Sequence, residues 1–443
     1  MKDAPREMNP PLVAVGPEQG GEARSRWAWT EPSVWTKRML GALENGVKGG
    51  VWFSLMDKVC SPKNLRASWE RVRRNDGAAG VDRQTVERFS AQAEDELERL
   101  YQALRERQYQ PMPALRKWIP KPGTTQRRPL GIPAVRDRVV QGALRNVLEP
   151  VFERRFYEHS YGFRPGRGCK DALRRVDDLL HRGYRWVVDA DIQSYFDTIP
   201  QDRLLREVQK EIADGSVLEL IESFLKQSVM DELKEHTPDK GTPQGAVISP
   251  LLANIYLHPV DLALRDAGFD VVRYADDLVI LCETEGQARD ALRLLDAEIS
   301  GRGLTLHPEK TRIVDTALPG GFDFLGYHFE LGRKMPRGKS LKKFKDTVRS
   351  MTPRKAGHSI DAVIKRLNTA VRGWFEYFKH CFARTFGSLD AWIRSRLRAL
   401  LLRFEKRKGT GHGYAHRRWP NRFFATHGLF SMTAAHAEAI RPR

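Results

Sequence analysis

The chain has 443 residues, of which 41% are hydrophobic and 9% aromatic, and its formal net charge is +19. This length is enough for roughly two to four domains with well-formed cores. No apolar run reaches the roughly 18 residues of a membrane span, and the start of the sequence lacks the continuous hydrophobic stretch of a signal peptide. We therefore expect an intracellular, cytoplasmic protein without membrane contact, beginning with a disordered lead-in over residues 1–30.

The cysteines give no sign of a disulfide framework. Cys60, Cys169, Cys282 and Cys381 lie far apart and form no CxxC pair, which is typical of reduced thiols. His412 and His416 leave a zinc site open as an alternative. Their Gly-rich context favours a loop, and no cysteine pair is near them.

The positive charge is concentrated in the last quarter of the chain. Residues 333–443 contain 27 Lys and Arg and 6 Asp and Glu, which gives a net charge of +21. The preceding residues contain 48 Lys and Arg and 50 Asp and Glu, which gives a net charge of −2. Trp374, Trp392 and Trp419 are interleaved with these cations. Basic and aromatic residues together indicate a nucleic-acid partner. A membrane surface is the alternative, but we expect the apolar residues here to form a core.

The first part of the chain predicts helices around a pair of strands. Residues 31–110 have mostly helical patterns. Prolines break any helix across 111–133, so this segment predicts a strand, a turn and a second strand. A helix is expected over 135–156, and another after the Gly-rich turn YGFRPGRG (161–168).

The centre mixes strands and helices. RWVVDADIQSYFDTIP (185–200) predicts a strand that runs into a turn, with Asp189 and Asp191 on one face because side chains alternate along a strand. GTPQGAVISPLLANIYLH (241–258) is a loop that opens a helix. Further strands are expected within 304–330.

The C-terminal part predicts a linker followed by helices. Residues 333–358 are basic and punctuated by Pro and Gly, so we expect a linker. Apolar residues at helical spacing over 359–381 and 389–408 predict two helices. The order of helices, a mixed centre and more helices indicates an α+β protein.

Two neighbouring aspartates interrupt the apolar segment VVRYADDLVILC (271–282). Its flanks predict two short buried strands joined at Ala275-Asp276-Asp277. Adjacent carboxylates repel each other and are costly to bury, so we expect a cation to hold them together. Asp191 offers a third carboxylate, and such oxygen ligands suit Mg²⁺, pairs of which assist phosphoryl transfer. A surface hairpin turn is the alternative for an isolated Asp-Asp pair.

Seven blocks occur in a characteristic order: RRPLGIPAVRDRVVQGAL, YGFRPGRGCKDAL, DADIQSYFD, GTPQGAVISPLLANIYLH, RYADD, HPEKT and FDFLGYHF. Together they resemble the reverse transcriptases encoded by group II introns, from about residue 60 to the C-terminus. The resemblance implies a right-hand polymerase: fingers, a palm whose antiparallel sheet carries the YADD hairpin, a helical thumb and a helical basic region. Many members carry a further endonuclease domain of the HNH type, which we expect to be absent here.

The implied domains follow the motifs. We assign them as a lead-in (1–30), an N-terminal helical extension with the start of the fingers (31–110), fingers and palm (111–332), a thumb or maturase domain (333–386) and a basic DNA-binding region (387–443).

The resemblance also implies an activity and partners. The chain would polymerise dNTPs from a DNA primer on an RNA template with Mg²⁺, and would bind intron RNA and a DNA target as a maturase. A free-standing relative that serves its host in repair or phage defence is one alternative. An RNA-binding maturase without polymerase activity is another.

Site residues carry over position by position. The resemblance makes Asp191, Asp276 and Asp277 the metal-binding triad, with Asp189 as a rival to Asp191. The family pattern favours Asp191 over Asp189, because it places the metal ligand immediately before an apolar residue, here Ile192. Phe196, five residues beyond Asp191, would pack under the nucleotide sugar and exclude a 2′-hydroxyl, unless it is an ordinary core residue.

Other residues are expected to contact the nucleotide or template. Lys121 and Arg128 flank a turn from which cations can reach a triphosphate. Arg127 could take the place of Arg128. The alternative is that these residues only form a solvated hairpin tip. Lys310 is expected to donate a proton to the leaving pyrophosphate, unless it is a surface lysine. The remaining predicted contacts are Gln244 beside the nucleotide, Gly245 for close backbone approach and Arg164 on template or nucleotide.

Overall fold

The computed structural model describes residues 26–47, 49–120, 127–231, 234–353, 359–407 and 413–439. The chain divides into two compact units. Unit 1 comprises Met1–Trp118, Pro129–Phe156 and Pro200–Tyr256, and unit 2 comprises Ile119–Arg128, Tyr157–Ile199 and Leu257–Arg443.

The helices in chain order are α1 (Lys37–Asn45), α2 (Met56–Val59), α3 (Pro62–Asn75), α4 (Val86–Ala91), α5 (Ala93–Arg105), α6 (Val135–Glu153), α7 (Cys169–His181), α8 (Tyr195–Thr198), α9 (Gln201–Gln209), α10 (Gly215–Leu225), α11 (Ser249–Asp266), α12 (Glu285–Gly301), α13 (Gly338–Met351), α14 (Ile360–Phe378), α15 (Arg384–Phe404), α16 (Tyr414–Arg418), α17 (Asn421–Thr426) and α18 (Met432–Ala439). The strands are β1 (Ala114–Pro120), β2 (Arg127–Ile132), β3 (Trp186–Asp191), β4 (Val229–Asp231), β5 (Lys234–His236), β6 (Asp270–Tyr274), β7 (Asp277–Cys282), β8 (Arg312–Asp315), β9 (Phe322–Phe324), β10 (Tyr327–Glu330) and β11 (Arg333–Pro336). Among the described residues, no helix is both long and apolar enough to cross a membrane.

Unit 1 packs around helix α6, most of which is buried. Helix α3 is fastened to it by polar side chains: the Ser68 hydroxyl donates to the Val139 carbonyl (2.7 Å), and the Asn64 amide donates to the Ala143 carbonyl (3.0 Å). Its sheet has the order β2-β1-β4-β5, which confirms the predicted strand pair on either side of residues 121–126. The predicted lead-in lies outside the described residues up to residue 25. Trp27, within its last five residues, is buried, so the N-terminal packing begins earlier than predicted.

Unit 2 is built on an antiparallel sheet of order β6-β7-β3-β8. Its central strands are lined by fully buried aliphatic side chains, such as Val188, Val279 and Ile280. Helix α7 is tied to the edge of this sheet because the Tyr184 hydroxyl and the Arg175 guanidinium both donate to Asp270 (2.8 and 2.5 Å). The predicted α+β class and the predicted hairpin strands are confirmed.

The C-terminal part of unit 2 packs strands β9–β11 and helices α13–α18 around an aromatic core. The predicted linker over 333–358 is wrong for the residues described there, because β11 and α13 occupy most of them. Phe344 and Val348, four residues apart on α13, are buried, and the Phe344 ring stacks on Trp374 (4.4 Å between centroids). The surrounding lysines and arginines obscured this apolar stripe in the sequence.

Candidate active site

The end of β3 and the β6–β7 hairpin bring the predicted carboxylates together in unit 2. Tyr274 pairs with Asp277, so Ala275 and Asp276 form a two-residue turn. Ala275 has φ +60°, the left-handed conformation that such turns use. Asp191 lies opposite Asp277 in the β3–β7 pair, and residues opposed in this way have Cβ atoms about 5 Å apart. The three carboxylates are therefore neighbours at one end of the sheet.

A buried ion pair fixes this turn. The Arg273 guanidinium donates to both carboxylate oxygens of Asp261 on α11 (2.7 and 2.5 Å) and to the Ala275 carbonyl (2.9 Å). Both side chains are almost fully buried, so each charge depends on the other. Sequence analysis missed this pair. The available signal was an arginine within an apolar strand, which requires a buried acidic partner.

The YGFRPGRG loop lies against the same turn. Tyr161 N–H donates to the Arg273 carbonyl (2.8 Å), and Arg273 N–H donates to the His159 carbonyl (3.0 Å). A Cβ at Gly162 would overlap the Ala275 backbone nitrogen and lie 2.8 Å from the Tyr274 carbonyl carbon. Only glycine therefore allows the loop to approach the hairpin this closely.

Burial and mutual repulsion act on the carboxylates. The pKa of Asp277 is raised to about 7, first by burial and then by the charges of Asp189, Asp276 and Asp191. Burial also raises the pKa of Asp276, and it raises the pKa of Asp189 to about 6 despite the nearby Arg312. A cation bound here would relieve this repulsion and restore the charged forms.

Lys310 lies at the edge of the carboxylate cluster. Its Nζ is 2.6 Å from Asp191 Oδ2. The backbone fixes this placement, because His307 N–H donates to the Asp191 carbonyl (2.7 Å) and Ile192 bridges to Leu306. An exposed ion pair of this kind contributes little stability, so the contact mainly positions the ammonium group.

The triad has the donor chemistry of a hard-cation site but not a closed ligand geometry. Within the described ranges, no group of three or more His, Cys, Asp or Glu side chains is arranged to hold a metal ion. Carboxylate oxygens are nevertheless the ligands that Mg²⁺ prefers, and burial, together with repulsion between the carboxylates, raises the pKa of Asp276 and Asp277. The metal assignment of Asp191, Asp276 and Asp277 therefore stays a prediction that fits the residues present.

The roles of Phe196 and Arg128 stay predictions. Phe196 is half-buried on the short helix α8, and its ring lies 5.6 Å from that of Tyr195. Arg128 is exposed at the start of β2, and its charge is among those that lower the pKa of Asp276. The second predicted triphosphate contact, Lys121, lies outside the described residues, as does His412 of the alternative zinc pair.

Gln244 and Gly245 lie in unit 1, where they contact strand β2. The Gln244 carbonyl accepts from Gly131 N–H (2.7 Å). Gly245 has φ +107°, and a Cβ there would lie 2.9 Å from a Leu130 methyl carbon and overlap the Gly131 carbonyl oxygen. The close approach predicted for Gly245 is thus to the protein's own backbone. The nucleotide contact of Gln244 stays a prediction.

Arg164 has a different environment from the one predicted. Its side chain is buried, and its guanidinium donates to the Tyr157 and Ser160 carbonyls (2.6 and 2.5 Å). These bonds brace the YGFRPGRG loop, because buried carbonyls at the loop base require a donor. The template contact of Arg164 stays a prediction.

Two family models match parts of the chain. Residues 119–329 match the reverse transcriptase (RNA-dependent DNA polymerase) family, and residues 341–419 match the group II intron maturase-specific domain. The first match contains Asp191, Asp276, Asp277 and Lys310. The second contains most of α13 together with α14 and α15.

Two relatives illustrate the similarity. Group II intron-encoded protein LtrA of Lactococcus lactis subsp. cremoris is 37% identical over 202 residues, 45% of this chain and 33% of LtrA. Protein YkfC of Escherichia coli (strain K12) is 31% identical over 345 residues, 68% of this chain and 85% of YkfC. The chain thus spans a third of LtrA and most of YkfC.

A solved structure described as a partial Cas6-RT-Cas1–Cas2 complex is 26% identical, with a TM-score of 0.36, and the match covers 56% of this chain and 42% of that chain. The two domain matches, in the same order as the sequence blocks, and the extensive match to YkfC decide the family. The chain belongs to the group II intron-type reverse transcriptases that carry a maturase domain.

Proposed function

We propose that the protein is an RNA-directed DNA polymerase that extends a DNA primer with dNTPs on an RNA template. The carrying observation is the placement of Asp191 opposite Asp277, beside Asp276 at the hairpin turn. Burial and repulsion at these carboxylates cost folding stability. A protein that only bound RNA would gain nothing from that cost, whereas nucleotidyl transfer requires such a cluster.

We propose Mg²⁺ as the cation, within a family that generally depends on divalent metals. Asp191, Asp276 and Asp277 would hold it, and when bound it supplies charge neutralisation for phosphoryl transfer. The remaining roles fall to other residues of the chain. Lys310, beside Asp191, donates a proton to the leaving pyrophosphate, Phe196 packs under the sugar, and Arg128 attracts the triphosphate.

We further propose a maturase role that involves intron RNA and a DNA target. It is supported by the maturase match at 341–419 and by the net charge of +21 over residues 333–443. We retain the thumb at 333–386 and the DNA-binding region at 387–443 as proposals. We propose that the protein acts in the cytoplasm, because its four widely separated cysteines are typical of reduced thiols.

Primer extension on an RNA template with Mg²⁺ tests the polymerase. We expect wild type to extend the primer and Asp276→Ala to fail. Asp290→Ala is a suitable control, because Asp290 is an exposed aspartate on α12. If wild type and Asp276→Ala are equally inactive, the polymerase proposal fails.

Crosslinking in the native host, followed by sequencing of the bound RNA, tests the maturase. One dominant structured RNA that spans the protein's own reading frame supports an intron-encoded maturase. A heterogeneous pool without that RNA would refute the splicing role and favour a free-standing reverse transcriptase.

A further inference from the structure

We propose that Phe163 is a nucleic-acid contact whose ring stacks on a nucleobase of the primer–template held beside the catalytic hairpin. This inference rests on the proposed polymerase function and adds a specific binding residue to it. The sequence pattern had directed attention to Arg164, the next residue along, which the structure uses to brace the loop.

The loop that carries Phe163 is fixed to the hairpin on both sides of this residue. Before it, Tyr161 N–H donates to the Arg273 carbonyl (2.8 Å), and Gly162 lies directly on the Ala275 backbone. After it, Arg164 is anchored to the loop base. Phe163 is therefore held in place a short distance from the turn that presents Asp276 and Asp277.

The side chain of Phe163 is presented to solvent at a conformational cost. It is 47% exposed, and its φ is +58°, a value that bulky L-residues rarely adopt. The same loop fills its other left-handed position with glycine, Gly166 at φ +68°. An isolated exposed aromatic is ordinary, but this ring also strains the backbone, where glycine would serve, and it lies beside the turn that presents Asp276 and Asp277. The combination of an aromatic face, strain and place indicates a function.

The chemistry of this side chain selects a nucleobase. Its ring packs obliquely against Tyr274, with 6.5 Å between centroids and 44° between planes, and leaves much of its surface uncovered. An aromatic face offers stacking and no charge, so it suits a base better than a phosphate. A polymerase must accept all four bases, and stacking satisfies this because every base has a π-face.

The test uses three variants and no catalysis. Phe163→Gly removes the ring and relieves the backbone, Phe163→Trp keeps an aromatic face, and Leu331→Gly is the matched control. Leu331 is likewise apolar, 47% exposed and at positive φ (+50°), on the β10–β11 turn. Binding of an RNA-template–DNA-primer duplex is measured in EDTA, with 2-aminopurine either at the templating base or at the primer terminus.

We expect Phe163→Gly to weaken duplex binding about tenfold and to relieve the quenching of one of the two 2-aminopurine positions. The relieved position identifies whether the template or the primer base stacks. Phe163→Trp should restore binding, and Leu331→Gly should bind like wild type. Urea denaturation should show Phe163→Gly at least as stable as wild type, so that weaker binding cannot come from unfolding.

Equal binding by Phe163→Gly and wild type, in a protein that extends primers, overturns this inference alone. Equal weakening by Leu331→Gly also overturns it, because the effect would then not be specific to the ring. If wild type neither binds the duplex nor extends a primer, both the inference and the proposed polymerase fail.

Discussion

The surroundings of Asp277 strongly disfavour its charged form. Its pKa is raised to about 7 by burial and by three neighbouring aspartates, among them Asp191 directly opposite on β3. In the metal-free protein, this group favours folding when it is protonated. That contribution is present at low pH and is lost as the pH rises through 7.

Replacement of Asp277 by asparagine should therefore stabilise the metal-free protein while it removes activity. Asparagine cannot ionise, so the unfolding free energy should rise by about 1–3 kcal/mol relative to wild type at pH 8. This gain should decline as the pH is lowered towards 5. Urea denaturation in EDTA at both pH values measures it, with Asp290→Asn as an exposed control. A variant that is less stable than wild type at pH 8 would contradict this account of the cluster.

At the residue scale, the sequence predicted that the carboxylates of Asp191, Asp276 and Asp277 would lie together, but it did not predict the residues that support them. The buried strands around Asp276 and Asp277 made a cation site the expected outcome. Asp261 could not be identified as the partner of Arg273, because that pairing depends on how α11 packs on β6. The loop-bracing bonds of Arg164 could not be predicted for a similar reason, since the carbonyls it binds are set by the loop's folded path.

At the element scale, the contact between the YGFRPGRG loop and the β6–β7 hairpin leaves no room for a Cβ at Gly162. We expect Gly162→Ala to displace the hairpin turn and to lower the polymerase rate at least about tenfold, with a loss of about 1–3 kcal/mol in stability, as for an overpacked site. Single-turnover nucleotide incorporation and urea denaturation provide the measurements.

Gly166→Ala is the control for this prediction. Gly166 also has positive φ, but nothing lies within 4 Å of a Cβ built there. The Gly166→Ala variant should lose about 1 kcal/mol of unfolding free energy from backbone strain and should keep its nucleotide incorporation rate. If both variants incorporate nucleotides equally well, the loop does not position the turn.

Helix α13 shows how composition can conceal an element. Its apolar residues Leu341, Phe344 and Val348 follow a helical spacing, but they lie among lysines and an arginine within a Pro- and Gly-containing stretch. On sequence alone, the flanking Pro and Gly residues favour a linker over a helix. The helix forms because Phe344 and Val348 are buried in the aromatic core, a contribution that the local composition does not reveal.

Phe344→Ala tests whether α13 is part of that core. Loss of a buried phenylalanine that stacks on Trp374 should cost about 3–5 kcal/mol of unfolding free energy. Lys343→Ala, an exposed neighbour, should change stability by no more than about 0.5 kcal/mol. Similar stabilities for the two variants in urea denaturation would restore the interpretation of 333–358 as a linker.

At the scale of the whole molecule, charge and chemistry lie in different parts of the sequence. The triad belongs to a part of the chain that is nearly neutral, whereas residues 333–443 hold a net charge of +21. This asymmetry was evident from composition, and the maturase match covers much of the basic part. We propose that affinity for nucleic acid comes mainly from the C-terminal helices and that the β6-β7-β3-β8 sheet supplies catalysis.

RNA binding should consequently depend strongly on salt. If the basic region neutralises six or more phosphates, affinity should fall by about 10³-fold or more between 50 and 200 mM salt. Filter binding or anisotropy with a structured RNA over this range gives the slope. Because the effect is electrostatic, Asp276→Ala should show the same slope as wild type. An affinity that is independent of salt would refute a phosphate-binding role for this region.

The most direct test of the account compares two aspartates of the same strand face. Asp191 lies opposite Asp277 at the hairpin end, whereas Asp189 lies opposite Val279 and close to Arg312. We predict that Asp191→Asn loses RNA-templated dNTP incorporation by at least about 10³-fold, whereas Asp189→Asn stays within about tenfold of wild type. Inactive Asp189→Asn with active Asp191→Asn would contradict the assigned triad, and no incorporation by wild type would contradict the polymerase itself.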